Sequence, residues 1–227
     1  MMKLNYFDLL SPDPVYLRNV GGIISPKLRD ISSIGYETYQ YYLSILLMDL
    51  KTGLARNSQL TDALQTILNF FIKEDVGYAP DKNVFLVRKE DALVGMITEE
   101  TYPEVCDIIF QRNCIRSGRE EDLSKVKNKK ALEIMKKLQK GRAEKEKQAK
   151  ADKDMELGNI ISAVANKSQS LNILNIWDLT VYQVWDCFSR LINNSIFDIQ
   201  SMSVAAWGDK DNHFDFHSWF KQMNKGN

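Results

Sequence analysis

Apolar residues recur at helical spacing in the first half of the chain. Tyr39 is followed by apolar side chains 3, 4, 7 and 8 positions later, which predicts an amphipathic helix of about 14 residues. Gly53 is a candidate for its C-cap. A second helix is predicted from Ser58 or Thr61 to about Lys73. Five apolar residues are predicted to form its buried face: Leu60, Leu64, Ile67, Leu68 and Phe71.

Short apolar runs between breakers predict a small β component. Residues 84–87 form a strand candidate, and residues 93–97 are its candidate hairpin partner. Nearer the N-terminus, residues 15–20 and 22–24 are predicted to be one or two short extended pieces, because prolines disfavour helix in the residues before them.

A further helix is predicted from Thr98 or Thr101 to about Asn113. Pro103 lies in its first turn, where the missing N–H has no intrahelical partner in any case. The N-terminal half is therefore predicted to be α+β and mostly helical.

The C-terminal part contains a local helix-start signal. Thr180 and Gln183 have the spacing of a capping box, and a strong apolar face follows them. The helix either ends at the pair Asn193 and Asn194 or continues to about Ala206.

A charged segment, residues 119–156, separates the two apolar parts. It contains 13 Lys or Arg and 9 Asp or Glu, so it has a charge of about +4, and the rest of the chain balances it. Residues 120–138 include a thin apolar stripe, whereas residues 139–154 include no large apolar side chain but many good helix formers. The pattern predicts a mostly α protein with three parts: an α+β N-terminal module with a short hairpin or small sheet (1–118), a charged helical spacer (119–156) and a small helical C-terminal module (157–227).

Composition limits the location and the class of partner. Cys106, Cys114 and Cys187 form no C-x-x-C pair, the N-terminus has no signal-peptide pattern, and no apolar run is long enough to span a bilayer. We expect reduced, buried thiols, a cytoplasmic location and no membrane contact. The net charge of zero argues against a protein built mainly to bind nucleic acid.

Catalytic and metal-binding patterns are weak throughout. The two histidines, His213 and His217, would share a helix face and could ligate a metal with Asp209 or Asp215, but no third ligand is specified and local hydrogen bonding is favoured. Nucleophile elbows and phosphate-binding loops are missing from the sequence. We therefore predict a protein that is not an enzyme, with no catalytic residues, cofactor or metal.

Aromatic residues of the C-terminal module are the candidate partner-binding set. In a module of about 70 residues, part of such a surface is available for a partner. The set comprises Tyr182, Trp185, Phe188, Phe216, Trp219 and Phe220. Rings after Trp207 are predicted to fold back on a helix or to contact a partner.

The layout resembles a known family. A helical, breaker-rich first module, a Lys/Glu/Ala-rich spacer and a short module that opens with residues 177–185 (WDLTVYQVW) together resemble tail assembly chaperones of long-tailed phages and prophages of Gram-positive bacteria. The resemblance implies a cytoplasmic protein of the infected or lysogenic host. Its implied partners are the tape measure protein, whose helices it binds, and the tail tube protein, whose subunits it helps to recruit; self-association is a further option.

Two alternatives stay open. One is a structural tail, baseplate or scaffold component with the spacer as a strut. The other is a nucleic-acid-associated helical protein that uses the basic run 125–150, although Glu residues interrupt that run and it has no aromatic side chain for base stacking.

The spacer prediction is testable by limited proteolysis. Because residues 139–154 have no apolar stripe to pack, we expect the first cuts between Lys140 and Lys153, leaving two stable fragments. Peptide mapping by mass spectrometry locates the cuts, and earlier cleavage elsewhere would contradict this division of the chain.

Overall fold

The computed structural model describes residues 2–56, 58–115, 155–209, 213–221 and 223. Most of the predicted spacer therefore lies outside the described residues. The α-helices are Tyr6–Leu10 (α1), Leu28–Ile34 (α2), Tyr36–Leu46 (α3), Leu50–Arg56 (α4), Ser58–Phe71 (α5), Tyr102–Arg112 (α6), Leu157–Lys167 (α7) and Val181–Trp207 (α8). The strands are Val15–Leu17 (β1), Gly21–Ile23 (β2), Asp75–Ala79 (β3), Val84–Lys89 (β4) and Ala92–Ile97 (β5).

The predicted fold class, mostly α with a small α+β part, is confirmed. β1 and β2 form a two-stranded antiparallel hairpin, and β3, β4 and β5 form an antiparallel sheet in that order. The predicted hairpin partners pair as expected, with Phe85 opposite Ile97 and Leu86 opposite Met96.

Strand β3 was not predicted, because Gly77 and the following Pro80 are poor strand formers. Helix α5 compensates for the weak sequence by hydrogen bonding to the strand. The side-chain amide of Asn69 accepts from the N–H of Val76 and donates to its carbonyl oxygen, both at 2.8 Å. Gln65 accepts from the N–H of Tyr78 at 2.9 Å. Part of the edge strand's backbone is thus satisfied by side chains rather than by another strand.

The prediction that Gly53 ends a helix is wrong. The first helix ends at Leu46, a new helix begins at Leu50, and Gly53 lies inside it. A Cβ atom at Gly53 would be 2.9 Å from a methyl carbon of Leu64. The glycine therefore permits α4 to approach α5 closely.

Cys114 also differs from expectation, because it is exposed, whereas Cys106 is buried and Cys187 is half-buried; all three are free thiols. Cys114 follows the end of α6 in a left-handed conformation with φ of 56°.

The described parts of the two predicted modules share one hydrophobic core. Side chains from α2, α5, α6 and the sheet pack in the same cluster as side chains from α7 and the start of α8. The C-terminal contributors that are less than 9% exposed are Leu157, Ile160, Ile161, Val164, Ile176, Val181 and Val184. Residues 157–184 therefore complete a core that the N-terminal residues begin.

Backbone contacts join the two parts where α8 begins. The N–H of Leu28 donates to the carbonyl oxygen of Leu179 at 2.8 Å, and Lys27 pairs with Thr180 as an isolated β-bridge. The guanidinium of Arg29 lies 2.6 Å from the carboxylate of Asp178, but both side chains are about half exposed, so this ion pair adds little stability.

Helix α8 is held at its start by the predicted capping box. The N–H of Thr180 donates to the side chain of Gln183 at 2.9 Å, and the N–H of Gln183 donates to the Thr180 hydroxyl at 3.4 Å. Gln183 also donates to the carbonyl oxygen of Leu10 at 2.8 Å, which connects the helix start to the end of α1.

A second polar contact to α1 lies one turn further along. The Tyr6 hydroxyl donates to the carboxylate of Asp186 at 2.5 Å and accepts from the guanidinium of Arg190 at 3.1 Å. Burial, followed by the adjacent Asp186, raises the pKa of the Tyr6 hydroxyl, so Tyr6 stays a neutral donor at physiological pH.

Arg112 stabilises the segment that contains α1. Its side chain is 2% exposed, and one terminal nitrogen donates to the carbonyl oxygens of Asp8 (2.8 Å), Ser11 (3.3 Å) and Asp13 (2.8 Å). These carbonyls belong to α1 and to the segment that follows it, so one cation satisfies several acceptors at once. Burial lowers the pKa of Arg112, but an arginine remains charged at neutral pH.

Loss of the capping hydroxyl should destabilise the protein. We expect Thr180→Ala to lower the free energy of unfolding by about 0.5–2 kcal/mol, because the backbone N–H of Gln183 loses its acceptor, the Thr180 hydroxyl, at a buried helix start. Urea denaturation of the full chain measures the change. Ser201→Ala removes an exposed hydroxyl from the same helix and is the matched control, with an expected change within about 0.5 kcal/mol.

Loss of the Tyr6 hydroxyl should also destabilise the protein. We expect Tyr6→Phe to reduce the free energy of unfolding by about 1–2 kcal/mol, since Asp186 is nearly buried and loses a short hydrogen bond. Tyr41→Phe, at an exposed ring, is the control. Equal urea midpoints for the two variants would show that the contact between α1 and α8 contributes nothing.

Candidate protein-binding surface

Helix α8 has a buried beginning and an exposed remainder. Its buried residues are Val181, Tyr182, Val184 and Asp186, all within the first two turns. The helix nevertheless continues without a break to Trp207, a total of 27 residues. Asn193 and Asn194 do not end it, so the longer of the two predicted helices is the one observed.

The first three residues of the predicted partner-binding set lie in or beside the core. Tyr182 is 4% exposed, so its ring is not on the surface, which contradicts its prediction as a surface contact. Trp185 and Phe188 are half-buried, pack against the core and meet edge to face with ring centroids 6.1 Å apart. The helical spacing of Tyr182, Trp185 and Phe188 therefore packs the start of α8 against the core.

The other three residues of the set are exposed on the tail that follows α8. Phe216 is 68% exposed, and Trp219 and Phe220 are each 51% exposed. Trp219 and Phe220 meet edge to face with ring centroids 5.1 Å apart, and Phe216 meets the half-buried Phe214 in the same way at 4.7 Å. These rings, Phe216, Trp219 and Phe220, are named here the tail cluster.

The tail folds back on α8, which was one of its two predicted positions. Asn193 donates to the carbonyl oxygen of Ser218 at 2.9 Å, and Arg190 donates to that of Lys221 at 2.8 Å. The rings of Phe197 and Phe214 are 5.4 Å apart. With these contacts in place, the rings of the tail cluster still keep half or more of their surface in solvent.

The two histidines lie in this tail and do not form a helical pair. The Asp209 carboxylate accepts from the N–H of His213 (3.0 Å) and the N–H of Phe214 (2.9 Å). Asp215 accepts from the N–H of His217 and contacts the Lys221 ammonium, and these two hydrogen bonds lower the pKa of its carboxyl group. Among the described residues, no three His, Cys, Asp or Glu side chains are grouped to hold a metal ion.

A second exposed surface lies on α8 and was not predicted from the sequence. It consists of five large apolar side chains on one face of the helix, named here the distal stripe: Ile192 (46% exposed), Ile196 (49%), Ile199 (64%), Met202 (63%) and Trp207 (82%). Four of them follow Ile192 by 4, 7, 10 and 15 positions, which places them on one side of an α-helix. An isolated exposed apolar residue is ordinary, but a contiguous row of this size indicates an interaction surface.

A shallow apolar groove of about 220 Å³ borders the distal stripe on the α7 side. Its charged lining residue is Lys167, at the end of α7. The other lining residues are Ala163, Phe188, Leu191, Ile192, Ser195, Ile196 and Ile199.

The basic run 125–150 lies outside the described residues, so its interpretation as a nucleic-acid contact stays a prediction. No described helix has the length and hydropathy needed to cross a membrane.

Comparison with known proteins locates a family resemblance in the region that carries both exposed surfaces. The family model described as YomV second domain matches residues 145–224, a range that includes α7, α8 and the tail cluster. No curated protein and no solved structure matches the chain. The C-terminal part of the chain is thus similar to a YomV second domain, which suggests a protein of phage or prophage type.

Proposed function

We propose that this protein is a tail assembly chaperone that binds the tape measure protein of a long-tailed phage or prophage and helps to recruit tail tube subunits. It acts in the bacterial cytoplasm as a binding protein, without catalysis or cofactor. The proposal is supported by the chain's resemblance to that family and by its similarity to a YomV second domain.

The tail cluster is the observation that carries the proposal. Three aromatic rings lie on one short segment that hydrogen-bonds to α8, and each exposes at least half of its surface. Rings of this kind are typical anchors for the apolar face of an amphipathic helix, since they contribute large contact area at a small entropic cost. Tape measure helices in an infected cell need their apolar faces covered until tube subunits arrive, and the tail cluster is suited to that task.

The experiment is co-expression of the full chain with a tape measure protein from the same phage or prophage genome. We expect a soluble complex with the wild-type chain. The combined variant Phe216→Ala, Trp219→Ala, Phe220→Ala should reduce the recovered complex at least about tenfold, which corresponds to the loss of one good aromatic anchor.

A triple alanine variant at exposed rings elsewhere is the matched control. Phe7, Tyr36 and Tyr41 are 79%, 43% and 51% exposed, so removing them should leave the yield unchanged. An insoluble tape measure protein despite the wild-type chain would overturn the proposal. Stoichiometric presence of the chain in purified particles would instead assign it as a structural component.

A further inference from the structure

Two charged side chains of opposite sign, Asp198 and Lys167, lie beside the distal stripe. Residues 191–207 contain a single ionisable side chain, Asp198, and the groove beside the stripe has Lys167 as its one charged lining residue. Neither side chain has an ion-pair partner among the described residues, and both are exposed. One surface thus offers both signs of charge, a positive one from Lys167 at the end of α7 and a negative one from Asp198 on α8.

We propose that the distal stripe binds the distal stripe of a second copy of this chain, with the two α8 helices antiparallel about a two-fold axis near Ile196. A face composed of Ile, Met and Trp is complementary to itself, and a two-fold pair is the arrangement in which one patch serves on both subunits.

The two charges meet in this arrangement. With the axis between residues 196 and 197, position 198 of one copy is level with position 195 of the other. Ser195 and Lys167 line the same groove. On the helix, Asp198 and Ser195 lie on the same flank of the stripe, and a two-fold axis in the interface plane places equal flanks side by side. Each Lys167 therefore faces Asp198 of the other copy, and the pair forms twice.

The available area fits a weak to moderate dimer. The five side chains of the distal stripe expose 46–82% of their surface. At roughly 200 Å² for each large side chain, two copies would bury about 1,200 Å² in total, which is the lower limit of specific interfaces. We expect dimerisation at micromolar concentrations rather than a permanent dimer.

The test uses the purified full chain without any client, so its outcome is independent of the proposed chaperone function. Sedimentation equilibrium should show a concentration-dependent increase from the monomer mass of 26.2 kDa towards twice that mass. Ile199→Asp should weaken the dimer at least about tenfold, because it places a charge in the apolar contact. Leu174→Asp, at a residue that is 83% exposed and outside the stripe, is the control and should not change the dissociation constant.

Charge exchange tests the arrangement of the two copies. Lys167→Asp alone and Asp198→Lys alone should each weaken self-association by roughly threefold to tenfold, because two like-charged pairs replace two ion pairs. Mixing the two variants should restore association, since both pairs of the mixed dimer are again opposite in charge. Native mass spectrometry of a mixture with one isotopically labelled variant counts the mixed dimer, and 1 M salt should abolish the preference.

Three results would overturn the proposal. They are a monomer at 100 μM, an Ile199→Asp variant that dimerises like the wild type, and a mixture of charge variants with no preference for the mixed dimer. A failure of tape measure binding would not affect any of these readouts.

Discussion

The insertion of the first two turns of α8 into the hydrophobic core is the contact on which the rest of the molecule depends. Val181 and Val184 close the cluster formed by α2, α5 and α6, while the capping box and Gln183 fix the direction in which the helix leaves it. An α-helix is stiff, so the direction of the anchored turns sets the position of every later residue. Fully buried residues end at Asp186, and the last side chain that packs against the core is Leu191, so roughly the last four turns lie outside the core, where they display the distal stripe and support the tail.

Much of the fold could be predicted because local signals agreed with the final packing. The capping box, the hairpin partners at residues 84–97 and the proline at the start of α6 each express a preference of a few neighbouring residues. The failures share a different cause. Strand β3 depends on the side chains of Asn69 and Gln65, and Gly53 depends on its distance from Leu64; both are tertiary contacts that no local pattern encodes.

The candidate surface was predictable only in part for a related reason. Periodicity identifies an apolar face but not what covers it, so it did not distinguish Tyr182, which was predicted to contact a partner and is buried, from Ile199, which lies further along the same helix and is exposed. The exposure of the tail rings was easier to predict. Aromatic residues in a short polar segment without an α-helix have no apolar helix face that would carry them into the core. The one available signal for the distal stripe was the scarcity of charge between residues 191 and 207, which is unusual for a solvated helix.

The sharing of one core between residues 2–115 and 157–184 has a consequence for the order of synthesis. When Asn113 has been added to the growing chain, roughly 70 residues remain to be made up to Val184, which takes about 4 to 14 seconds at roughly 5–20 residues per second. Throughout that interval α1 and α2 have neither the carbonyl oxygen of Leu179 nor the carboxylate of Asp186 as partners, although Arg112 already restrains the segment after α1. The N-terminal part of the nascent chain therefore presents an unfinished core until residues 157–184 are translated and cover it.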